Sequence, residues 1–341
     1  MNLLILKAFF GIVFHFFLNL FFKKIEIFKD DLSSSNHKKL AVNNDNILLT
    51  GGLSVLILLF IFLEANYYFK LFCCLIFVIG VISDLNFISS PFKRFIFQAV
   101  AITFFIIQFN NNIDFTDIAF LDLILKYKII SYIFTIYCFL IIVNGTNFID
   151  GLNGLVIGYY ILSFTTLLIL LLTKNINYDY STILVILIIL LINYPFNLIG
   201  KNFLGDSGSY LIAFIAGYIF VDFYKTYSDV SALFIVILLW YPAFENLFSI
   251  IRKKIIKKNP SEPDTNHIHQ LIFKYLINKF ENKKKANIFS SLIINFYNSV
   301  VFLIALFLFN NSSGLSVLLT LIVIIYINFY LFLLRKIESK I

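Results

Sequence analysis

The sequence predicts an all-α, polytopic integral membrane protein with about eleven transmembrane helices and a cleft on the cytoplasmic face. Three observations carry that expectation. Sixty per cent of the 341 residues are hydrophobic and 13% are charged, whereas a soluble protein has about 25% charged residues. Mean hydropathy is +0.91. The apolar residues lie in runs close to the roughly 20 residues that a helix needs to cross a bilayer. These runs are continuous and do not alternate, which argues against membrane-spanning strands.

The runs place spans near 3–22, 47–64, 70–83, 94–109, 128–143, 154–172, 181–197, 208–224, 231–250, 288–308 and 314–334. The third and fourth are the shortest. The first lacks a small-residue cleavage site and reads as a retained helix. Together they form one transmembrane domain over residues 1–341, with loops at about 23–46, 84–93, 144–153, 198–207 and 251–287. Cys73, Cys74 and Cys138 lie inside apolar runs and read as small core residues. His15, also in an apolar run, reads as structural.

Charge orients these spans. Of the 27 lysines and arginines, 21 fall in connections after odd-numbered spans or in the tail. Basic residues favour the cytoplasmic side, so the tail and those connections face the cytoplasm. The net charge of +8 is explained mostly by this bias and by attraction to anionic lipid. Nucleic acid is excluded as a partner, because the basic loop 251–287 has few aromatics and no room for a binding fold.

Three polar islands interrupt the apolar pattern, and all fall on the cytoplasmic side. Each holds an aspartate beside glycine or serine: Asp84 in GVISDL, Asp150 in NGTNFIDGLNG and Asp206 in NFLGDSGS. Carboxylates and asparagines at a membrane boundary are costly unless they bind something. Asn144, Asn147 and Asp150 recur at a spacing of three, which puts them along one face of a helix end. Gly151 and Gly154 then open the next helix, whose free N–H groups suit an anion. A hard cation takes one or two carboxylates, substrate phosphates and water, and Asp206 fits as its anchor. Lys93 and Arg94 follow Asp84 as phosphate partners. His267 and His269, at i and i+2, do not share a helix face, and no third histidine or paired cysteine supports zinc. They suit phosphate contact or proton handling. Each island also has a plainer reading as a helix cap, a hydrated loop or a solvated charge. The run Asn193–Asn197, with Pro195 inside it, suggests a broken helix lining a cavity.

The ordered set of motifs resembles the polyprenyl-phosphate N-acetylhexosamine-1-phosphate transferases, the MraY/WecA superfamily. Asn36–Lys39 with Thr50–Gly52, GVISDL with SSPFKR, NGTNFIDGLNGL, NFLGDSGS and HIHQ resemble that family's loops in order, over about residues 1–280. The resemblance implies an enzyme that moves a HexNAc-1-phosphate from a UDP-sugar to undecaprenyl phosphate and releases UMP. It implies Mg²⁺, with Mn²⁺ as a substitute, and leaves room for a homodimer. It implies catalytic roles for Asp84, Asp150, Asp206, His267 and His269, with Asp206 and Asp150 at the metal. Substrate contacts would come from Lys38, Lys93, Arg94, Asn144, Asn147, Leu152, Asn153 and Phe203, the last four by stacking or bonding near the diphosphate and uracil. Two positions depart from the family pattern. Ser83 replaces the first acid of an Asp-Asp pair, and Asn153 replaces the last acid of D-G-L-D-G. Gln270 stands where H-I-H-H has its final histidine, which favours the HexNAc-phosphate branch, used for O-antigen and other envelope glycans. Two other readings are a transporter of an anionic substrate and a catalytically silent homologue.

Overall fold

A computed structural model describes residues 2–25, 48–88, 90–174, 176–227, 229–257, 265–280 and 282–338. The motif Asn36–Lys39, and Lys38 with it, lies outside the described residues. Among the described residues there are fourteen helices and no strand, apart from one isolated parallel bridge between Leu48 and Asn202. The helices are α1 (Asn2–Ile25), α2 (Thr50–Phe62), α3 (Tyr67–Asp84), α4 (Pro91–Phe109), α5 (Ala119–Leu125), α6 (Lys128–Ile149) and α7 (Leu155–Thr173). The second half comprises α8 (Ser181–Leu198), α9 (Gly205–Thr226), α10 (Ala232–Leu238), α11 (Trp240–Ile255), α12 (Ile268–Phe280), α13 (Lys283–Phe307) and α14 (Ser312–Glu338).

Nine of these helices are long and apolar enough to cross a membrane, so the chain is a multi-pass membrane protein. Two of the eleven expected spans take another form. The second is the 13-residue α2, shorter than a bilayer crossing. The ninth is α10 plus α11, bent by 75°. The bend has a local cause. Pro242 has no N–H to give the carbonyl four residues back, and its ring crowds that turn. That carbonyl, of Leu238, instead accepts Tyr159 Oη at 3.0 Å and Ser163 Oγ at 3.0 Å from α7.

Three other expectations need correction. The third and fourth spans are full length, because Tyr67–Phe69 and Pro91–Lys93 extend them. Pro91 is suited to a first helical turn, and Lys70 reaches back to the Phe60 carbonyl. The segment around Pro195 is not broken: α8 continues to Leu198 with the proline inside it. The proline takes the donor from one carbonyl, that of Leu191, and the helix ends three residues later at Leu198. The basic loop 251–287 is largely helical, through the end of α11, all of α12 and the start of α13. In α12, Ile268, Leu271, Ile272 and Leu276 are buried, the spacing of one apolar helical face.

α9 is the central element. It packs against α2, α3 and α6, and 89% of its span is buried against 11% for α1. The small residues of α9 allow the close crossing. A Cβ added to Gly52 of α2 would lie 2.5 Å from the backbone nitrogen of Gly208. His15 of α1 is buried and pins its neighbours, with Nδ1 2.7 Å from Ser54 Oγ and Nε2 3.0 Å from Asn202 Nδ2. Its structural reading is therefore borne out.

The connections sort to two ends of the bundle. At one end, Lys225 donates to the Asn110 carbonyl, Asp117 accepts from the Ala232 N–H and Ser312 Oγ, and Ser231 N donates to Phe309 O. At the other end lie the C-termini of α3, α6 and α8, the N-termini of α4, α7 and α9, and α12. The three polar islands and the histidine segment are all at this second end.

Candidate functional site

The site begins where α3 ends against the start of α9. Asp84 is the last residue of α3. Its Oδ1 accepts the Asp206 N–H at 2.8 Å and its Oδ2 accepts the Ser207 N–H at 3.1 Å. These donors lie in the first turn of α9, which has no intrahelical acceptors for them. Asp84 therefore caps α9 from another helix and fixes the backbone that carries Asp206. Gly205 is needed for this cap. Its φ is +69°, and a Cβ there would sit 2.7 Å and 2.9 Å from the two Asp84 oxygens. A left-handed glycine avoids both penalties.

Asp206 projects from that turn into a cationic and hydroxylic surround. Arg94 Nη1 donates to its Oδ2 at 3.0 Å and to Ser83 Oγ at 2.7 Å. Ser83 Oγ in turn donates to the same Oδ2. Tyr210 Oη, one turn along α9, lies 3.5 Å from it. Oδ1 of Asp206 has no protein donor among the described residues. Ser83 is thus a hydrogen-bond donor to the carboxylate where the family pattern has an acid. Lys93, one residue before Arg94, is exposed.

The second wall is the end of α6 and the turn after it. Asn144–Ile149 continue the helix and do not form the loop expected at 144–153. Asn144 Nδ2 donates to Gln98 Oε1 of α4 at 2.8 Å. Asn147 faces α9: its Oδ1 accepts Ser209 Oγ at 3.3 Å, and its Nδ2 donates to Tyr210 Oη at 3.4 Å. Asp150 is half-buried at the end of α6, and its N–H donates to the Asn147 carbonyl at 3.2 Å. The turn itself is fastened from three sides. Asn153 N–H donates to Asn287 Oδ1 at 2.9 Å, Gly154 N–H to Asn197 Oδ1 at 2.7 Å, and Asn295 Nδ2 to the Gly154 carbonyl at 3.2 Å. Leu152 and Asn153 are both buried. Phe203 is half-buried and held by its backbone, which pairs with Leu48 and Gly51.

The third wall is the histidine segment. His267 lies against Phe148 with ring centroids 5.6 Å apart, and stacks on His269 at 5.6 Å and 16°. His267 Nδ1 is 2.9 Å from Glu245 Oε1 of α11. His269 is fully buried, and neither ring nitrogen has a partner among the described residues. Its burial, aided by the neighbouring His267, pushes its pKa down to about 3. A Cβ on Gly151 would lie 2.5 Å from His269 Nε2, so the Asp150–Gly151 turn sits directly on this ring.

The structure therefore joins Ser83, Asp84, Arg94 and Asp206 in one corner and Phe148, Gly151, His267 and His269 in another. Asn147, through Ser209 and Tyr210, links the two. Asn144 is tied to α4 beside them, while Lys93 stands outside the contacts. Sequence reasoning missed Glu245, Tyr210 and the asparagines of α13. Glu245 carried a readable signal, an acid inside an apolar run. Tyr210 and the asparagines carried none. Among the described residues no group of three or more His, Cys, Asp or Glu side chains is arranged to hold a metal ion. A hard cation that keeps several waters and takes phosphate oxygens needs only one or two carboxylates. The donor-free Oδ1 of Asp206 is compatible with that mode.

Comparison with known proteins agrees with this arrangement. The family model of glycosyl transferase family 4 matches residues 66–224, which include Asp84, Arg94, Asp150 and Asp206. The chain is 28% identical over 204 residues to the probable undecaprenyl-phosphate N-acetylglucosaminyl 1-phosphate transferase of Bacillus subtilis (strain 168), covering 59% of this chain and 56% of that protein. The match thus spans little more than half of that relative. It is 29% identical over 264 residues to the undecaprenyl-phosphate alpha-N-acetylglucosaminyl 1-phosphate transferase of Thermotoga maritima, covering 77% of this chain and 78% of that protein. In its ordered motifs, in the single site they build and over residues 66–224, the chain is similar to glycosyl transferase family 4 and to these undecaprenyl-phosphate sugar-1-phosphate transferases.

Proposed function

We propose that the protein transfers a HexNAc-1-phosphate from a UDP-sugar to undecaprenyl phosphate, releases UMP, and so starts a lipid-linked envelope glycan such as O-antigen or capsule. The observation that supports this most is the continuous network from Arg94, Ser83 and Asp206 through Tyr210 and Ser209 to Asn147, and on to Phe148 and His267. Four separate polar segments converge on it at one end of an otherwise apolar bundle. A carrier that alternates access would place such groups near mid-bilayer. The excess of basic residues at this end fits a cytoplasmic face, where nucleotide sugars are found.

In the proposed reaction a phosphate oxygen of the lipid carrier bonds to the β-phosphorus of the UDP-sugar. The bond from that phosphorus to the oxygen bridging the two phosphates breaks, and UMP departs with that oxygen. Phosphoryl transfer of this kind demands mostly positioning and charge neutralisation. A monoester phosphate has its second pKa near 6, so it needs no strong base, and Ser83 in place of an acid is tolerated. Asp206, with Asp150, would hold Mg²⁺, which when bound neutralises and orients the diphosphate. Arg94 supplies a planar cation matched to phosphate oxygens. Asn147 orients Ser209 and Tyr210, and the Leu152–Asn153 turn with Phe203 forms the side toward the base. Asp84 acts by aiming Asp206, since both of its oxygens are occupied by the α9 backbone.

Purified protein mixed with undecaprenyl phosphate, Mg²⁺ and a panel of UDP-HexNAc donors tests this. UMP release dependent on the lipid and on one or more donors is expected. No release with any donor, from protein that binds neither donor nor lipid, would overturn it.

A further inference from the structure

Glu245 has no role in the scheme above, yet its surroundings are specific. It is fully buried on α11, in the stretch after the 75° bend. Three donors converge on its carboxylate. His267 Nδ1 lies 2.9 Å from Oε1, and the Ile268 N–H, at the start of α12, lies 3.3 Å from the same oxygen. Tyr326 Oη of α14 donates to Oε2. Around this carboxylate the α14 helix is bolted to α11 a second time, where Arg252 Nη1 donates to Tyr330 Oη at 2.9 Å and to the Asn266 carbonyl. Tyr326 and Tyr330 are four residues apart on one face of α14, with rings nearly parallel at 6°.

An ionised carboxylate only accepts hydrogen bonds. With Glu245 opposite Nδ1, that nitrogen carries the ring proton, and the carboxylate sets both the tautomer and the ring plane. Nδ1 is thereby committed to the protein, and Nε2 is the atom left to meet a ligand. A carboxylate that orients a histidine in this way is the usual support for a working imidazole. Burial makes the arrangement stiff, because separating one partner of a buried pair strands the other.

We infer that Glu245, held by Tyr326, is a positioning residue: it fixes His267 with its proton on Nδ1 and presents Nε2 to the sugar-phosphate in the site. This rests on the proposed transferase reading for what Nε2 meets, but the ring geometry stands apart from it. It also gives α11 and α14 a part in the site, although both lie beyond the residues 66–224 that the family model matches.

The test is ¹⁵N-histidine labelling of the full chain in detergent micelles at alkaline pH. The sequence has four histidines, so His267→Gln assigns the ring. The wild-type ring should show a protonated Nδ1 and a bare Nε2. Glu245→Leu should lose that pattern, while Glu245→Gln, which keeps an acceptor, should largely preserve it. UMP release should fall about 10–100-fold in Glu245→Leu, by analogy with the loss of a partner that orients a metal-bound histidine, mainly in kcat, and less in Glu245→Gln. A wild-type ring protonated on Nε2, or an unchanged ring in Glu245→Leu, would overturn the inference without any variant activity being needed. Absence of UMP release from wild-type protein with the expected ring pattern would instead count against the transferase reading alone.

Discussion

The site contains two contacts between a carboxylate and a nitrogen donor, in different surroundings. Arg94 and Asp206 meet at 3.0 Å with side chains 24% and 22% exposed, whereas His267 and Glu245 meet at 2.9 Å with side chains 7% and 0% exposed. A pair that water still reaches is worth little, about 0–1 kcal/mol at the surface, and this one is half-buried. Such a pair can be opened by a ligand at little cost, and both of its members have chemistry to offer a diphosphate and a cation. A buried pair is held by what surrounds it and resists separation. The first pair is built to be exchanged and the second to keep its shape.

The sharpest way to break this comparison is to remove the half-buried carboxylate of Asp206. Asp206→Asn keeps the size and the first turn of α9, and Asp84 still caps the backbone. UMP release at saturating divalent cation should fall by about 10²–10³-fold or more, the scale expected when a preorganised charge is lost. The thermal midpoint in detergent should stay close to wild type. Turnover within about tenfold of wild type would show that Asp206 is structural, and the two corners would then be alike.

The next largest effect is expected in the buried corner. In Gly151→Ala the new Cβ would come 2.5 Å from His269 Nε2, and the enclosed ring has no room to retreat. Overpacking of this sort costs about 1–3 kcal/mol. His269→Ala vacates the space, so the double variant should recover part of the stability lost by Gly151→Ala. A double-mutant cycle on thermal or denaturant unfolding reads the coupling. Additive effects would mean that the turn and the ring do not bear on each other.

The two corners also differ in how far they were legible in the sequence. Asp84, Asp150 and Asp206 stood out because a charge among Ile, Leu and Phe has no cheap explanation in lipid. Charge counting placed them at one end of the bundle, and the end-to-end sorting of the connections agrees. Alternation of spans survived a short α2 and a bent α10–α11, because each still carries the chain from one end to the other. What the sequence hid depends on partners distant along the chain. Asp84 as a cap on α9 needs the α3–α9 crossing to be known. The helical α12 was masked by counting its lysines as loop charge, although its apolar spacing was present. Glu245 was as visible as any of the three aspartates, but no glycine or serine beside it marked a turn, so it passed as part of a span. Its role appears only when α12 and α14 close over it.

A smaller effect tests how Ser83 serves the Asp206 corner. Its hydroxyl donates to Asp206 Oδ2 and accepts from Arg94, so it joins the pair at one atom. Ser83→Ala removes a net hydrogen bond worth about 1 kcal/mol and leaves the Arg94–Asp206 contact in place. UMP release should drop severalfold, with a matching rise in the divalent-cation concentration needed for half-maximal rate. A loss as large as that of Asp206→Asn would make the hydroxyl itself part of the chemistry.

The smallest effect concerns acid. His269 has a pKa of about 3 in the folded protein against an ordinary value of 6.5, because burial disfavours its charged form. Between these values the unfolded chain binds a proton that the folded chain does not, so stability rises with pH across that window. The stabilising contribution is complete above about 6.5 and is lost progressively as pH falls toward 3. The thermal midpoint should therefore decline between neutral pH and about pH 5, just inside the window that opens below the ordinary histidine value. His269→Gln has no proton to gain there, and its midpoint should fall less over the same interval. Parallel decline in the two proteins would assign the acid sensitivity to other groups and would leave His269 as packing alone. A difference between them would show that the buried corner keeps its shape in part by holding this ring neutral.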